Sequence, residues 1–181
     1  LEFRTFPISG LIEITPTVFQ DPRGYFFESF HQVRFESAGI HEQFVQDNQS
    51  FSKKGVLRGL HFQKEPYAQG KLVRVFSGRV YDVALDIRPD SPTFGQHQSL
   101  ILDAEKNNLL YIPPGFAHGF LALEDSVFMY KCTQYYNKES EWGIAWNDPE
   151  LGIDWGLENP LVSEKDMQLP NFKTVLATLK P

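Results

Sequence analysis

Apolar and polar positions alternate in short runs along most of the chain, and turn-forming residues cut those runs apart. Leu11 to Phe19 reads as a strand, and Asp21-Pro22-Arg23-Gly24 turns the chain into Tyr25 to Phe30. Phe44 to Phe51 is extended, Lys53-Lys54-Gly55 interrupts it, and Val56 to Gln63 and Lys71 to Phe76 follow. Ser77-Gly78 is a two-residue hairpin candidate leading into Arg79 to Ile87. In that segment Tyr81, Val83, Leu85 and Ile87 point one way, and Asp82 and Asp86 the other. Gln98 to Asp103, Leu109 to Ile112, Gly119 to Leu123, Val127 to Tyr136 and Gly143 to Trp146 complete the set. Strands recur roughly every 8–12 residues, the spacing of a sandwich or barrel. Helices are few. His31 to Ala38, stopped by Gly39, is one; Ser163 is a capable N-cap for another; Phe172 to Leu179 is an outer helix. No segment alternates strand with long helix, which argues against Rossmann and TIM architectures.

Composition narrows this further. The chain has 181 residues, 41% of them apolar and 14% aromatic, enough to bury a core, and it reads as one domain over 1–181. Its 17 basic and 23 acidic residues give a net charge of −6, the wrong sign for a nucleic-acid footprint. No apolar stretch is long enough for a membrane span, and Leu1 to Thr5 lacks the apolar run of a signal peptide. The one cysteine, Cys132, forms no internal disulfide and no cysteine-based zinc site. The expectation is a soluble cytoplasmic protein, in which the glycosylation pattern Asn48-Gln49-Ser50 is chance.

The chemistry is carried by few residues. Neither common phosphate loop is present, so a bound phosphate would have to be held by Arg and Lys side chains. Two segments each place one histidine in an apolar strand: Gly55-Val56-Leu57-Arg58-Gly59-Leu60-His61-Phe62-Gln63, and Ile112-Pro113-Pro114-Gly115-Phe116-Ala117-His118-Gly119-Phe120. The second matches P-x-G-x-x-H, the later motif of the cupin jelly roll. The earlier motif is only partial, because Phe62-Gln63 stands where a metal-binding jelly roll carries a second histidine. That counts against a metal site. Alone, each histidine reads as a core residue satisfied by hydrogen bonds; two in cupin-like positions point to a site. Tyr130, Cys132, Gln134 and Tyr136 share one strand face, which reads as a cavity wall or as ordinary buried tyrosines. Arg58 and His61 lie three apart, on opposite faces of a regular strand. If both serve one pocket the strand must twist or bulge, and Gly59 is the fitting place.

The order Asp21-Pro22-Arg23-Gly24-Tyr25-Phe26-Phe27-Glu28, Phe44 to Ser50, Val56 to Gln63, Gln69 to Arg74, Asp86-Ile87-Arg88, Ser91 to Gly95, Ile112 to Phe120, Tyr130-Lys131, Tyr135-Tyr136, Trp146-Asn147-Asp148, Ile153-Asp154-Trp155 and Ser163 to Asp166 resembles the dTDP-4-dehydrorhamnose 3,5-epimerase family. The resemblance runs from about residue 3 to about residue 170. It implies a mostly β, cupin-type jelly roll with a few short peripheral helices. It also implies a metal-free, cofactor-free enzyme that forms a homodimer with exchanged N-terminal strands and takes a small-molecule dTDP-4-keto-6-deoxy sugar.

That reaction inverts carbons flanking a ketone through an enolate at C4. The resemblance makes His61 the base, its reference pKa of about 6.5 leaving it mostly neutral. Asp166 fixes its tautomer. Tyr130 is the proton donor, a phenol of pKa about 10 that keeps its proton to give. Lys71 stands near O4, and His118 is a second polar contact at the sugar. Arg58 assists the sugar or diphosphate end. Arg23, Glu28, Gln46, Asn48, Glu141 and Lys165 contact the dTDP part, with Arg23 and Glu28 reaching the neighbouring subunit's site, and Phe26 and Tyr136 stack on thymine. The loop Lys64-Glu65-Pro66-Tyr67-Ala68 borders the pocket. Three alternatives stand beside this: inversion at C3 or C5 alone, a metal-dependent cupin, and a non-catalytic module that binds sugars or sugar nucleotides or serves as a scaffold.

Overall fold

The structure, a computed structural model, describes residues 1–179. Its strands are β1 (Glu2–Thr5), β2 (Ile12–Thr15), β3 (Phe19–Asp21), β4 (Gly24–Phe26), β5 (Gln46–Ser52), β6 (Val56–Gln63), β7 (Lys71–Ser77), β8 (Arg79–Asp86), β9 (His97–Asp103), β10 (Leu109–Ile112), β11 (Phe116–Ala122), β12 (Ser126–Cys132), β13 (Glu141–Gly143) and β14 (Leu161–Val162). The helices are α1 (Gln32–Ser37), α2 (Glu164–Met167) and α3 (Phe172–Leu179). One sheet runs β1-β2-β10-β7-β12-β5, and the other runs β13-β6-β11-β8-β9, with β14 also on β6. The expected jelly-roll sandwich is what forms.

Three apolar clusters hold the layers together. Val73, Val75, Leu110, Ile112 and Phe128 of the first sheet meet Val80, Ala84, Leu102, Phe116 and Phe120 of the second, forming the layer between them. The outer face of the first sheet, with Ile12, Ile14, Leu72 and Leu109, is covered by Phe35 of α1 and by Ile40. The outer face of the second, with Leu57, Leu60, Val83, Leu85 and Leu121, is covered by Trp155 and by Phe172 and Val175 of α3. The parity expected for β8 holds: Val83, Leu85 and Ile87 lie together in one cluster, while Asp82 and Asp86 are fully buried on the other side.

Several expectations are corrected. Ser77-Gly78 is not a hairpin turn: β7 and β8 belong to different sheets, so the glycine makes a corner. Gly78 has φ +75°, and a Cβ there would collide with the Asp125 carbonyl and Ser126 Oγ. The strand expected over Val127 to Tyr136 stops at Cys132, so Gln134 and Tyr136 lie past its end. Leu11 to Phe19 divides: β2 ends at Thr15, and Phe19 opens a separate β3–β4 hairpin closed by the Asp21–Gly24 turn. Among the described residues no helix is long and apolar enough to cross a membrane.

Asp86 ties the end of β8 to the loop that follows. Its carboxylate accepts from Arg88 Nε (2.9 Å) and Nη2 (2.7 Å), Ser91 Oγ (2.6 Å) and Thr93 Oγ1 (2.7 Å). Burial works against the charge, but these donors outweigh it and hold the Asp86 pKa at about 2. A depressed carboxyl pKa stabilises the fold above the ordinary value near 3.8, and that contribution fades as pH falls through about 2. Asp86→Asn should therefore cost about 3 kcal/mol in urea unfolding at neutral pH. It should also flatten the loss of stability that the wild type shows between about pH 4 and 2.

Candidate active site

The pairing of β6 with β11 holds the key irregularity. His61 sits opposite His118, and Arg58 sits opposite Phe120, so three steps along β6 match two along β11. One extra residue in β6 is a bulge, and it puts Arg58 and His61 on the same inner face. Leu57 and Leu60 share the outer face for the same reason. Gly59 takes the distortion with φ +113°, a conformation open to glycine. A Cβ at Gly59 would lie 2.6 Å from Gly119 Cα and from the His118 carbonyl oxygen.

The bulge also frees a backbone amide. β13 and β14 pair with the two ends of β6, and Gly59 lies between them. Its N–H donates to Asp166 Oδ2 at 3.0 Å, which satisfies a buried donor that the ladder leaves out. The other oxygen, Asp166 Oδ1, is 2.7 Å from His61 Nε2. Ser163 Oγ caps α2 by accepting from the Asp166 N–H at 3.1 Å, as its N-cap role requires. Burial would raise the Asp166 carboxyl, but the His61 and Gly59 hydrogen bonds hold it below the usual range. Asp166 therefore stays ionised and fixes His61 through Nε2, leaving Nδ1 free.

His61 opens onto a cavity of about 650 Å³ lined from both sheets. Arg58, His61, His118 and Phe120 come from β6 and β11; Asn48, Ser50, Lys71, Phe128 and Tyr130 come from β5, β7 and β12; Ser163, Lys165 and Asp166 close one side. On the first sheet Tyr130 sits opposite Asn48 across one ladder and Val73 across the other. Lys71 Nζ lies 5.8 Å from the centre of the Tyr130 ring. Burial pushes the Lys71 ammonium below its ordinary value, while Cys132, Asp82 and Glu141 pull it back up. Burial likewise raises the Tyr130 phenol.

Eight expected site residues thus meet in one cavity: His61, Tyr130, Asp166, Lys71, Asn48, Arg58, His118 and Lys165. Three more join by hydrogen bonds at its edge. Glu141 Oε2 accepts from Lys165 Nζ at 2.8 Å and from Tyr136 Oη at 2.9 Å. Gln46 accepts from the Tyr136 N–H at 2.9 Å and donates to Asn48 at 3.1 Å. Arg23, Phe26 and Glu28 stand apart. Arg23 pairs with Asp21, Glu28 with Arg34 at 3.1 Å, and Phe26 is 70% exposed. The Lys64–Ala68 loop does not border this cavity: Lys64, Glu65 and Ala68 line a separate one with Arg88 and Thr178. The glycosylation pattern is likewise empty of meaning, since Asn48 faces the cavity.

Sequence reasoning missed Asp82. It is fully buried and lies 2.8 Å from His118 Nε2, making a second imidazole–carboxylate pair. A charge in the middle of an apolar β8 was the available signal. The stacked rings of Phe120 and Phe128, 4.2 Å apart, were missed as well. Among the described residues no three His, Cys, Asp or Glu side chains converge as metal ligands would.

A family model described as dTDP-4-dehydrorhamnose 3,5-epimerase matches residues 5–174. The chain belongs to this family. It is 53% identical over 167 residues to the dTDP-4-dehydrorhamnose 3,5-epimerase of Shigella flexneri, covering 91% of this chain and 92% of that one. The Legionella pneumophila dTDP-6-deoxy-D-glucose-3,5-epimerase, solved with dTDP-4-keto-L-rhamnose, superposes with a TM-score of 0.94 at 48% identity, covering 99% of this chain and 97% of that one. A 3'-monoepimerase from Streptomyces bikiniensis, solved with dTDP-quinovose, superposes with a TM-score of 0.89 at 32% identity, covering 96% and 89%. Membership in the 3,5-epimerase family makes the chain an isomerase acting on sugar nucleotides, built on a cupin-type jelly roll.

Gly59→Ala should remove the bulge that the cavity depends on. The expected result is a loss of more than about 2 kcal/mol in denaturant unfolding. A variant that keeps wild-type stability would show that the bulge is dispensable.

Proposed function

We propose that the protein inverts C3 and C5 of dTDP-4-dehydro-6-deoxy-D-glucose to give dTDP-4-dehydro-L-rhamnose. The observation that carries this is the placement of His61 and Tyr130 on opposing sheets of one cavity, with His61 fixed from behind by Asp166. The hydrogens on C3 and C5 are acidic because the C4 ketone can take up the charge. His61 Nδ1 removes one of them, and the electron pair moves to O4 as an enolate. Tyr130 gives a proton to the same carbon from the other face, which inverts it. Lys71 stabilises the charge on O4 in a site shielded from water. His118, held by Asp82, contacts the sugar. Asp166 stabilises the imidazolium that forms and holds its tautomer. Solvent exchange resets the acid and base before the second carbon reacts.

At the nucleotide end, Arg58 and Lys165 take the diphosphate, while Gln46, Asn48, Glu141 and Tyr136 hold the nucleoside. The protein acts as a homodimer in which the β3–β4 hairpin is exchanged, bringing Arg23, Phe26 and Glu28 to the partner's cavity. In support, that hairpin pairs with neither main sheet. Its Phe19, Tyr25 and Phe26 are 63%, 63% and 70% exposed, an arrangement that favours burial against a second copy. The buried thiol of Cys132 and a nucleotide-linked substrate fit work in the cytoplasm.

The test is proton NMR of dTDP-4-dehydro-6-deoxy-D-glucose with the protein in D₂O. Deuterium should enter both C3 and C5. Entry at one carbon selects a mono-epimerase, and no entry removes the catalytic reading. His61→Asn should slow exchange by about 10²- to 10⁴-fold while dTDP still binds; wild-type rates in that variant would exclude His61 as the base. Light scattering should find a dimer, and a fully active monomer would contradict the exchange of hairpins.

A further inference from the structure

Arg58 reaches from β6 in one sheet to the end of β5 in the other. Its Nε donates to Ser52 Oγ at 2.9 Å, and its Nη2 donates to the Phe51 carbonyl oxygen at 3.2 Å. Nε and Nη2 form one edge of the guanidinium, so both bonds engage the same side. The end-on fork of Nη1 and Nη2 is left for a ligand. A guanidinium carries five N–H donors in a rigid plane, and fixing one edge fixes where the other points. Ser52 is 1% exposed, closing the inner end of β5 beside the cavity wall formed by Asn48 and Ser50.

We propose that Ser52, with the Phe51 carbonyl, is a positioning residue that sets Arg58 to grip the phosphate oxygens of the nucleotide sugar through its end-on fork. This rests on the function proposed above and adds a residue to it. Two physical points support the assignment. An unrestrained arginine loses rotamer freedom when it binds, and a side chain already held in place loses less. A planar fork matches two phosphate oxygens only when its plane is set, which a hydroxyl and a carbonyl on the far edge achieve. Ser52 also links the two sheets through this bond, so the width of the cavity and the direction of Arg58 are set together.

The experiment is a double-mutant cycle on the full-length protein with Ser52→Ala, Arg58→Ala and both together, adding Ser52→Thr to keep the hydroxyl. Binding of dTDP is measured by calorimetry, and KM and kcat on dTDP-4-dehydro-6-deoxy-D-glucose by NMR. Ser52→Ala should weaken dTDP binding and raise KM about five- to tenfold, with kcat changed by less than about twofold. In the Arg58→Ala background the same change should have no further effect, and Ser52→Thr should recover most of the affinity. A Ser52→Ala penalty that persists undiminished without Arg58, or a fall in kcat with KM unchanged, overturns the inference. Failure of Ser52→Thr to fold leaves the cycle to decide. Wild-type protein that binds no dTDP overturns the functional reading and this inference together, whereas wild-type binding with a non-coupled cycle overturns the inference alone.

Discussion

The site depends on one inserted residue in β6. Without the bulge at Gly59, Arg58 and His61 would face opposite sides of the second sheet, and one of them would lie in the apolar layer under α3. With it, a guanidinium and an imidazole enter the same cavity. The N–H that the bulge takes out of the ladder finds Asp166, and the carboxylate it recruits holds the histidine. Three parts of the site thus follow from a single backbone irregularity. The position opposite it has to stay open as well, because a Cβ on Gly119 would lie 2.7 Å from the Arg58 carbonyl oxygen and 3.3 Å from Gly59 Cα.

The two sheets divide the chemistry. The second supplies the imidazole and the guanidinium, while the first supplies the phenol and the ammonium of Lys71. A jelly roll suits this arrangement, since its inner faces oppose each other across a gap that side chains fill elsewhere and leave open here. Burial acts on each group in a useful direction. It keeps the Tyr130 proton in place and makes the Lys71 charge costly. Asp166 resists the same burial because two donors of β6, the His61 ring and the Gly59 N–H, converge on it. In the proposed reaction, a charge forming on O4 would repay the cost of holding Lys71 as an ammonium.

Much of this was legible from residue order. The turn at Asp21–Gly24 and the Ser163 cap follow from local rules that the tertiary structure does not overrule. Even the bulge could be located, because Arg58 and His61 had the wrong parity and a glycine lay between them. Other features depend on what the chain meets later. Ser77-Gly78 satisfies the chemistry of a hairpin and of a sheet-to-sheet corner equally, and only the pairing of β7 with β12 and β8 with β11 decides. The parity of β12 gave the place of Tyr130 correctly but failed past Cys132, where the strand ends and Tyr136 reaches Glu141 by another route. Asp82 was placed on its correct face of β8, but the histidine it would meet lies on β11, beyond what spacing within one strand can tell. The loop at Lys64–Ala68 is near the site in sequence and faces a different cavity in space.

In the proposed reaction the sugar ring sits between an imidazole and a phenol belonging to opposite sheets. A crystal structure of the protein with a dTDP-linked 6-deoxy sugar tests it most directly. The ring should lie inside the cavity, with His61 Nδ1 facing one side of it, Tyr130 Oη the other, and Lys71 Nζ at O4. A sugar bound outside that cavity, or one with His61 and Tyr130 on the same side of the ring, would contradict it.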